Sequence, residues 1–230
     1  LNSNFKFKFK YSDNKLNIYE SFFRNKNLSF SNESTINYSP FFFINSIIKI
    51  GDIDTDLIKS INIDEILKYK NLIKKISTKN EIYFDSKKIS NNLIENFYLK
   101  SDLAYGRINF LKKISSQESF SLCNGNINLL NEYPILYFDC SLTSKNLKKI
   151  LKKFSLKYKK NKEIFELKAK GNINITSNKI NFTSISEKDY VASKEDLKYF
   201  KNLFENILFD ENFVNIFNFK KIRNFIQEII

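Results

Sequence analysis

Few side chains in this sequence could do catalytic chemistry. The 230 residues contain no histidine and only two cysteines, Cys123 and Cys140. Without imidazole there is no histidine general base, no Ser-His-Asp or Cys-His nucleophile and no histidine metal ligand. Two cysteines are too few for a thiolate zinc site, and their spacing differs from that of a redox CxxC pair. The sequence therefore predicts a non-enzymatic protein with no metal and no other cofactor.

The acidic residues form one alternating group that requires the same test. Asp52, Asp54 and Asp56 alternate along a strand-like stretch, and such carboxylates could in principle bind calcium. The glycine and glutamate of an EF-hand loop are missing, so we interpret this stretch as a solvated loop. Asp64-Glu65 and Glu195-Asp196 lie near predicted helix starts, where the helix dipole favours acids. Helix capping is the better interpretation of those four residues.

The net charge of +13 raises the question of nucleic-acid binding. The excess is almost entirely lysine, because arginine occurs only at Arg24, Arg107 and Arg223. Base readout and bidentate phosphate contacts favour arginine, and no predicted helix concentrates the positive charge on one side. We therefore expect no nucleic-acid partner and attribute the lysine content to codon bias and solubility.

Side chains of alternating character fill most of the chain. Phe5, Phe7 and Phe9 alternate with lysines, a period of two that predicts a half-buried strand with one aromatic face. Turn-forming Asn, Ser, Asp and Lys residues separate further segments of this kind. These predicted strands run from Leu16 to Tyr19, Leu28 to Phe30, Ile36 to Tyr38, Ile47 to Ile53, Ile82 to Asp85, Leu93 to Leu99, Leu103 to Phe110, Phe120 to Leu129, Ile135 to Leu142, Ile164 to Ile175 and Lys179 to Ile185.

A helical period interrupts the strands in three regions. We predict helices over residues 64–76, 145–154 and 194–229, the last broken near Asp210 to Asn212. Asn62 or Asp64 could cap the first, and Ser193 with Asp196 resembles a capping box. The predicted fold class is mainly β (α+β): a long antiparallel meander forming a curved, groove-like half-pipe over residues 1–192, with short edge helices. Residues 193–230 form a C-terminal helical tail packed on or capping the sheet.

The cysteines fall on two strands predicted to be neighbours. If Asn131-Glu132 is a two-residue hairpin loop, counting outward places Cys123 opposite Cys140 on the same face. A longer loop of the same parity could shift this pairing. We expect the cysteines to face the same side without a disulfide bond. The same register turns Phe120 and Leu122 to the other face, unless a bulge at Gly125 switches the phase.

An apolar sheet face that helices leave uncovered is an interaction surface or a groove. Three or four short helices cannot cover a dozen strands, so we expect a groove that holds lipid acyl chains. The alternative is that the same side chains fill the protein's own core. The candidate lining residues are Phe5, Phe7, Phe9, Phe120, Leu122, Ile127, Leu129, Leu136, Phe138, Phe165, Leu167, Ile173 and Ile175.

Three segments resemble the C-terminal region of bacterial AsmA-like envelope proteins, the group related to YhdP and TamB. The strand ILYFDCSLTS, from Ile135 to Ser144, leads into the predicted helix LKKILKKF, from Leu147 to Phe154. The hairpin AKGNINITSNKINF, from Ala169 to Phe182, is similar to AsmA-type β-repeats. The lysine-rich helical ending from Tyr190 onward is the third.

The resemblance implies a periplasmic segment in a Gram-negative bacterium. Such a protein would carry phospholipid between the inner and outer membranes in outer-membrane biogenesis, with acyl chains and membranes as its partners. No run reaches the roughly 18 apolar residues of a membrane span. The chain begins at Leu1 and contains no methionine, so we expect it to be cut from a longer polypeptide. The resemblance implies that an inner-membrane anchor lies upstream. The alternative function is a structural or partner-docking envelope module with a self-filled core.

Overall fold

The computed structural model describes residues 3–54, 57, 62–85, 94–116, 118–157, 164–188, 190–209 and 218–229. Within these residues twelve strands form one open sheet in chain order. The strands are β1 (Asn4–Ser12), β2 (Lys15–Arg24), β3 (Leu28–Asn37), β4 (Phe43–Ile53), β5 (Ser77–Asp85), β6 (Asn96–Ala104), β7 (Arg107–Ser116), β8 (Ser119–Asn128), β9 (Ile135–Ser144), β10 (Phe165–Asn174), β11 (Lys179–Glu187) and β12 (Tyr190–Val191). The helices are α1 (Ile63–Lys68), α2 (Lys70–Ile73), α3 (Leu147–Lys153), α4 (Lys194–Leu208) and α5 (Phe219–Ile229).

The predicted fold class, mainly β with a long meander and a C-terminal helical tail, is confirmed. One strand pair departs from the antiparallel pattern, because β4 and β5 run parallel. Residues 54–76, which include α1 and α2, connect the end of β4 back to the start of β5. A connection of this length is what a parallel pair requires. The helical segment that was predicted to interrupt the meander is therefore the crossover connection that allows β5 to run parallel to β4.

Several predicted strands are shorter than the observed ones, and two regions differ more strongly. The predicted strand from Leu103 to Phe110 is the turn between β6 and β7, where Tyr105 and Gly106 have φ of 50° and 76°. Positive φ at both central residues is the mark of a two-residue hairpin turn. Strand β3 is continuous, although its polar middle divided it into two predicted pieces. Leu93, the predicted start of another strand, lies outside the described residues.

The helix caps follow the predictions more closely. The Asn62 side chain accepts hydrogen bonds from the backbone N–H groups of Asp64 and Glu65, and Ser193 and Asp196 form a capping box at the start of α4. The predicted helix over 64–76 is divided at Tyr69 into α1 and α2. The predicted tail helix over 194–229 contains α4 and α5, and its predicted break at Asp210 to Asn212 lies outside the described residues.

The register gives the sheet two different faces. Cross-strand partners share a face, so the pairings carry the face of Phe5 and Phe9 across to Ile127. We call this side the apolar face and the other the polar face. Four neighbouring rows of side chains cross the apolar face from β3 to β10, each with one residue per strand. The first row is Ile36, Ile44, Thr78, Leu103, Ile108, Ile127, Leu136 and Ile173, and the second is Ser34, Ser46, Asn80, Ser101, Phe110, Gly125, Phe138 and Gly171. The third row is Asn32, Ile48, Ile82, Leu99, Lys112, Cys123, Cys140 and Ala169, and the fourth is Phe30, Ile50, Phe84, Phe97, Ile114, Ser121, Leu142 and Leu167.

The hydrophobic core lies at the C-terminal end of the sheet. Its buried members are Ile127, Leu129, Ile173, Ile175, Ile180, Leu208 and Phe209. Helix α4 joins this cluster through the Phe204 ring, 5.8 Å from Phe182 of β11 and 5.3 Å from Phe225 of α5. The Glu205 carboxylate accepts a hydrogen bond from the backbone N–H of Ile180 at 3.0 Å. The two C-terminal helices therefore cover the apolar face at its last long strands.

Candidate functional site

Over most of β1–β7, the described residues provide no comparable cover of the apolar face. The exception is the edge next to the core, where Leu67 of α1 and Ile73 of α2 pack against the core cluster together with Ile108 of β7. Of the eleven buried hydrophobic residues in the described part of the chain, Phe84 alone belongs to β1–β7. Its neighbours in the apolar rows of these strands are half-buried, since adjacent side chains shield one another from the sides only. A second layer of structure would bury such residues almost completely. As far as the described residues show, the N-terminal part of the apolar face is therefore largely open, although the small side chains of Ser21, Ser34 and Ser46 are buried on it.

The total exposed area agrees with this arrangement. The chain exposes 15326 Å², whereas a compact monomer of this mass exposes about 11,000 Å². A single layer of twelve strands with helices at one end contributes to this difference, because a single-layer sheet is less compact than two packed layers.

Three of the predicted lining residues lie where the groove hypothesis requires them. Phe5, Phe7 and Phe9 project from the apolar face of β1 and are 55%, 47% and 60% exposed. The Phe5 and Phe7 rings are stacked with centroids 4.9 Å apart. Tyr11 continues the same row at 59% exposure. This edge of the sheet therefore carries a continuous exposed aromatic strip.

Phe120 and Leu122 do not line the apolar face, contrary to their assignment to the groove. They pair with Ser115 and Lys113 of β7, whose side chains lie on the polar face. The alternating register of β8 is unbroken through Gly125, so no bulge returns them to the apolar side. Phe120 instead lines a shallow depression of ≈ 180 Å³ on the polar face.

Four other predicted lining residues belong to the core. Ile127, Leu129, Ile173 and Ile175 are each only 7–8% exposed and pack in the cluster beneath the C-terminal helices. Their side chains fill space that an acyl chain would need, because α4 and α5 lie against them. This correction confines the open part of the apolar face to the earlier strands.

The remaining predicted lining residues hold intermediate positions. Leu136 and Phe138 lie on the apolar face of β9 and are partly buried against the core cluster. Phe165 and Leu167 lie on the apolar face of β10, paired with Ser144 and Leu142, and are half-buried. These four residues border the covered region. The sequence pattern failed to select the apolar residues of β2–β7, of which Phe30, Ile48, Ile50, Ile82, Phe97 and Leu99 are examples.

Polar side chains cross part of the apolar face. The Ser34 and Ser46 hydroxyls are hydrogen-bonded at 2.8 Å. In the same row, the Asn80 amide donates to the Thr78 hydroxyl at 2.8 Å and to the Ser101 hydroxyl at 3.5 Å. These residues form an uncharged polar stripe, defined as Ser34, Ser46, Asn80 and Ser101. Its members satisfy one another's hydrogen bonds, so the stripe persists on an otherwise apolar surface.

A single lysine lies beyond the end of this stripe. Lys112 is the only charged residue in the apolar rows of β1–β10 within the described residues. It pairs with Leu99 on one side and Cys123 on the other. None of the described residues accepts a hydrogen bond from its ammonium or forms an ion pair with it. Burial lowers the pKa of Lys112 below the usual value of 10.5.

The two cysteines occupy the predicted positions. Cys123 pairs directly with Cys140 on the apolar face, as predicted. The expectation that they would not be bonded is wrong, because they form a disulfide with Cα atoms 4.1 Å apart. The hairpin loop runs from Leu129 to Pro134 and is longer than the predicted Asn131-Glu132 turn, but it keeps the same pairing. The direct pairing keeps the two Cα atoms well within the separation of about 7 Å beyond which a disulfide cannot form.

The acidic groups show no arrangement suited to a metal. Within the described residues, no group of three or more Cys, Asp or Glu side chains could hold a metal ion. Asp52 and Asp54 belong to or follow β4, and Asp56 lies outside the described residues. Also within the described residues, no helix has the length and apolar character to cross a membrane.

Comparisons of this chain with protein-family models, curated proteins and solved structures find no match.

Proposed function

We propose that this chain is a non-enzymatic segment of a bacterial envelope protein that holds lipid acyl chains on its apolar sheet face. The observation that carries this proposal is the apolar surface of β1–β7, which the described residues leave largely uncovered and which has a polar face on the other side of the same strands. Each methylene group of a lipid tail removed from water contributes about 0.8 kcal/mol. A short stretch of acyl chain along these rows therefore gives useful affinity without any catalytic group.

The covered end of the sheet sets a limit to this surface. The core cluster fills the apolar face below α4 and α5, and Ile108 of β7 packs against it together with Leu67 and Ile73 of the crossover. Acyl chains are therefore held over β1–β7 and stop before Ile108 and the last strands. In this proposal the C-terminal helices close one end of a groove. The disulfide between Cys123 and Cys140 supports an oxidising location such as the periplasm.

The alternative function is a structural or partner-docking envelope module. The self-filled core around Ile180 and Leu208 favours it, because that part of the face holds no ligand. The two functions differ in what β1–β7 contacts: lipid in the first and a protein surface in the second. Lipid uptake by the isolated chain separates them.

The test compares two phenylalanines of similar exposure on opposite faces. Phe7 on the apolar face is 47% exposed, and Phe22, which pairs with Lys6 on the polar face, is 43% exposed. Delipidated protein is incubated with a fluorescent phospholipid, and bound fluorescence is measured after gel filtration. We expect Phe7→Asp to reduce uptake strongly, since an unpaired charge is poorly solvated among acyl chains. Phe22→Asp should take up lipid like the parent chain.

Absence of uptake by the parent chain would contradict the lipid proposal and favour the docking module. Equal losses in Phe7→Asp and Phe22→Asp would contradict the assignment of lipid to the apolar face. Thermal unfolding of both variants shows whether a loss of uptake reflects a loss of fold.

A further inference from the structure

Lys112 has no partner among the residues that the structure describes, although its surroundings disfavour a charge. Its neighbours along β7 on the apolar face are Phe110 and Ile114, and its cross-strand neighbours are Leu99 and Cys123. A lysine placed for solubility would lie on the polar face, where Lys113 and Lys100 lie. The apolar face therefore carries a cation that no described residue pairs with, and an anionic partner from outside the chain would compensate it.

Hydrogen-bonding groups lie beside this cation. Ser101 pairs with Phe110, so it is the diagonal neighbour of Lys112 across β6 and β7. Diagonal neighbours are within reach of a long side chain. The Ser101 hydroxyl accepts from Asn80 and keeps its own proton for a further acceptor. An ammonium and a hydroxyl on diagonal positions of the same sheet face are suited to bind one anionic oxygen.

We propose that Lys112, assisted by Ser101, binds the anionic group of an amphiphile whose acyl chain lies on the apolar face. This inference rests on the proposed function and adds the chemical class of the ligand, a lipid with a carboxylate or phosphate oxygen. The apolar rows on either side, with Ile82 and Ile48 next in the row of Leu99, provide the surface for the chain attached to that group. Burial lowers the pKa of Lys112, which agrees with a charged group that lacks a counterion in the unbound protein.

The experiment compares ligands that differ only in charge. Oleate and oleyl alcohol carry the same chain, and their dissociation constants are measured by calorimetry at 0.15 M salt, where long-range attraction to the net positive charge is screened. We expect the parent chain to bind oleate roughly tenfold more tightly than oleyl alcohol, the gain typical of a charge-assisted hydrogen bond. Lys112→Gln should abolish this preference, and Lys112→Arg should retain it.

Lys113→Gln is the matched control, because Lys113 is adjacent in sequence but lies on the polar face. It should keep the preference for oleate. A parent chain without preference, or an equal preference in Lys112→Gln, would overturn the inference and leave the lipid proposal standing. If the parent chain binds neither oleate nor oleyl alcohol, the lipid proposal is overturned as well.

A second pair of ligands identifies the source of the anion. Vesicles of dioleoyl phosphatidylglycerol are compared with dispersed dioleoylglycerol, which has the same chains and no phosphate. A Lys112-dependent preference in this pair shows that the site takes phospholipid. The same preference in the oleate pair alone shows that it takes free fatty acid. Lack of a Lys112-dependent preference in both pairs overturns the inference.

Discussion

At the scale of single residues, Lys112 combines a positive charge with an apolar environment. Because burial disfavours the ammonium, the pKa of Lys112 is lower in the folded chain than in the unfolded one. The folded state therefore binds this proton less tightly, and the charge destabilises the fold at every pH below the folded pKa. The destabilisation fades as the pH rises to the unfolded value near 10.5, where lysine loses its charge in both states.

The first prediction follows from the destabilising effect of the Lys112 charge on the folded state. Lys112→Met should raise the free energy of unfolding at pH 7 by on the order of 1 kcal/mol, and the gain should shrink at pH 10. Urea denaturation of the parent chain and the variant at both pH values measures it. Lys113→Met, which removes a charge from the polar face, should change stability by less than about 0.5 kcal/mol. A gain in Lys112→Met that is equal at both pH values would contradict the desolvation argument.

Two strand glycines, Gly171 and Gly51, differ in how closely the neighbouring strand approaches them, so their substitution by alanine can be compared. A Cβ at Gly171 would overlap the backbone carbonyl oxygen of Asn181 and press on the Phe138 ring, whereas a Cβ at Gly51 would meet only the rotatable Ser29 hydroxyl at 3.0 Å. Gly171→Ala should therefore cost about 1–3 kcal/mol of stability and Gly51→Ala less than about 0.5 kcal/mol. Equal costs in urea denaturation would show that backbone crowding does not limit position 171.

The sequence patterns located some of these residues and missed others. Phe5, Phe7 and Phe9 were identifiable because strict alternation with lysine leaves one choice of face. Lys112 was missed because it forms a Lys-Lys pair that resembles a polar segment. Its position between Phe110 and Ile114 with period two is the signal that would have placed it on the apolar face.

At the scale of elements, the β8–β9 hairpin shows what a register argument can establish. Pairing parity placed Cys123 opposite Cys140 although the loop was predicted too short. The turn at Tyr105 was missed because a tyrosine with positive φ has no clear sequence signal. The parallel pairing of β4 and β5 was missed because alternation defines the face of a strand and not its direction.

The next prediction concerns this hairpin. The disulfide closes a loop with a sequence separation of 17, and a loop of about that length corresponds to roughly 3 kcal/mol of stability. The double variant Cys123→Ala, Cys140→Ala should lose about this amount in urea denaturation. Dithiothreitol should destabilise the parent chain similarly and leave the double variant unchanged. A parent chain insensitive to the reductant would contradict a stabilising disulfide.

At the scale of the whole molecule, the sheet divides into a covered and an uncovered part. Leu208 of α4 is 5% exposed in the covered part, whereas Phe7 is 47% exposed in the uncovered part. The sequence pattern predicted that the helices are too few to cover all the strands. It could not predict which strands the helices would cover, because that depends on contacts such as Phe182 with Phe204 that are distant in the meander.

The last prediction compares the two parts by truncating one side chain in each. Leu208→Ala should cost about 2–5 kcal/mol, since it leaves a cavity in a packed cluster. Phe7→Ala should cost less than about 1 kcal/mol, because it removes one partner of an exposed aromatic pair. Thermal and urea unfolding measure both. A large cost for Phe7→Ala would show that another layer covers β1.

The order of the strands in the sheet also determines the order in which they unfold. Each strand from β2 to β11 is bonded only to its predecessor and its successor in the chain, so cooperativity passes from neighbour to neighbour, as in repeat proteins. Strand β1 has one such neighbour, and none of the described helices packs on it, so it can fray while the rest stays folded. Strands β8 and β9 are cross-linked, and β11 is held by α4. Opening therefore proceeds as unzipping from the amino-terminal edge towards an anchored carboxyl-terminal end.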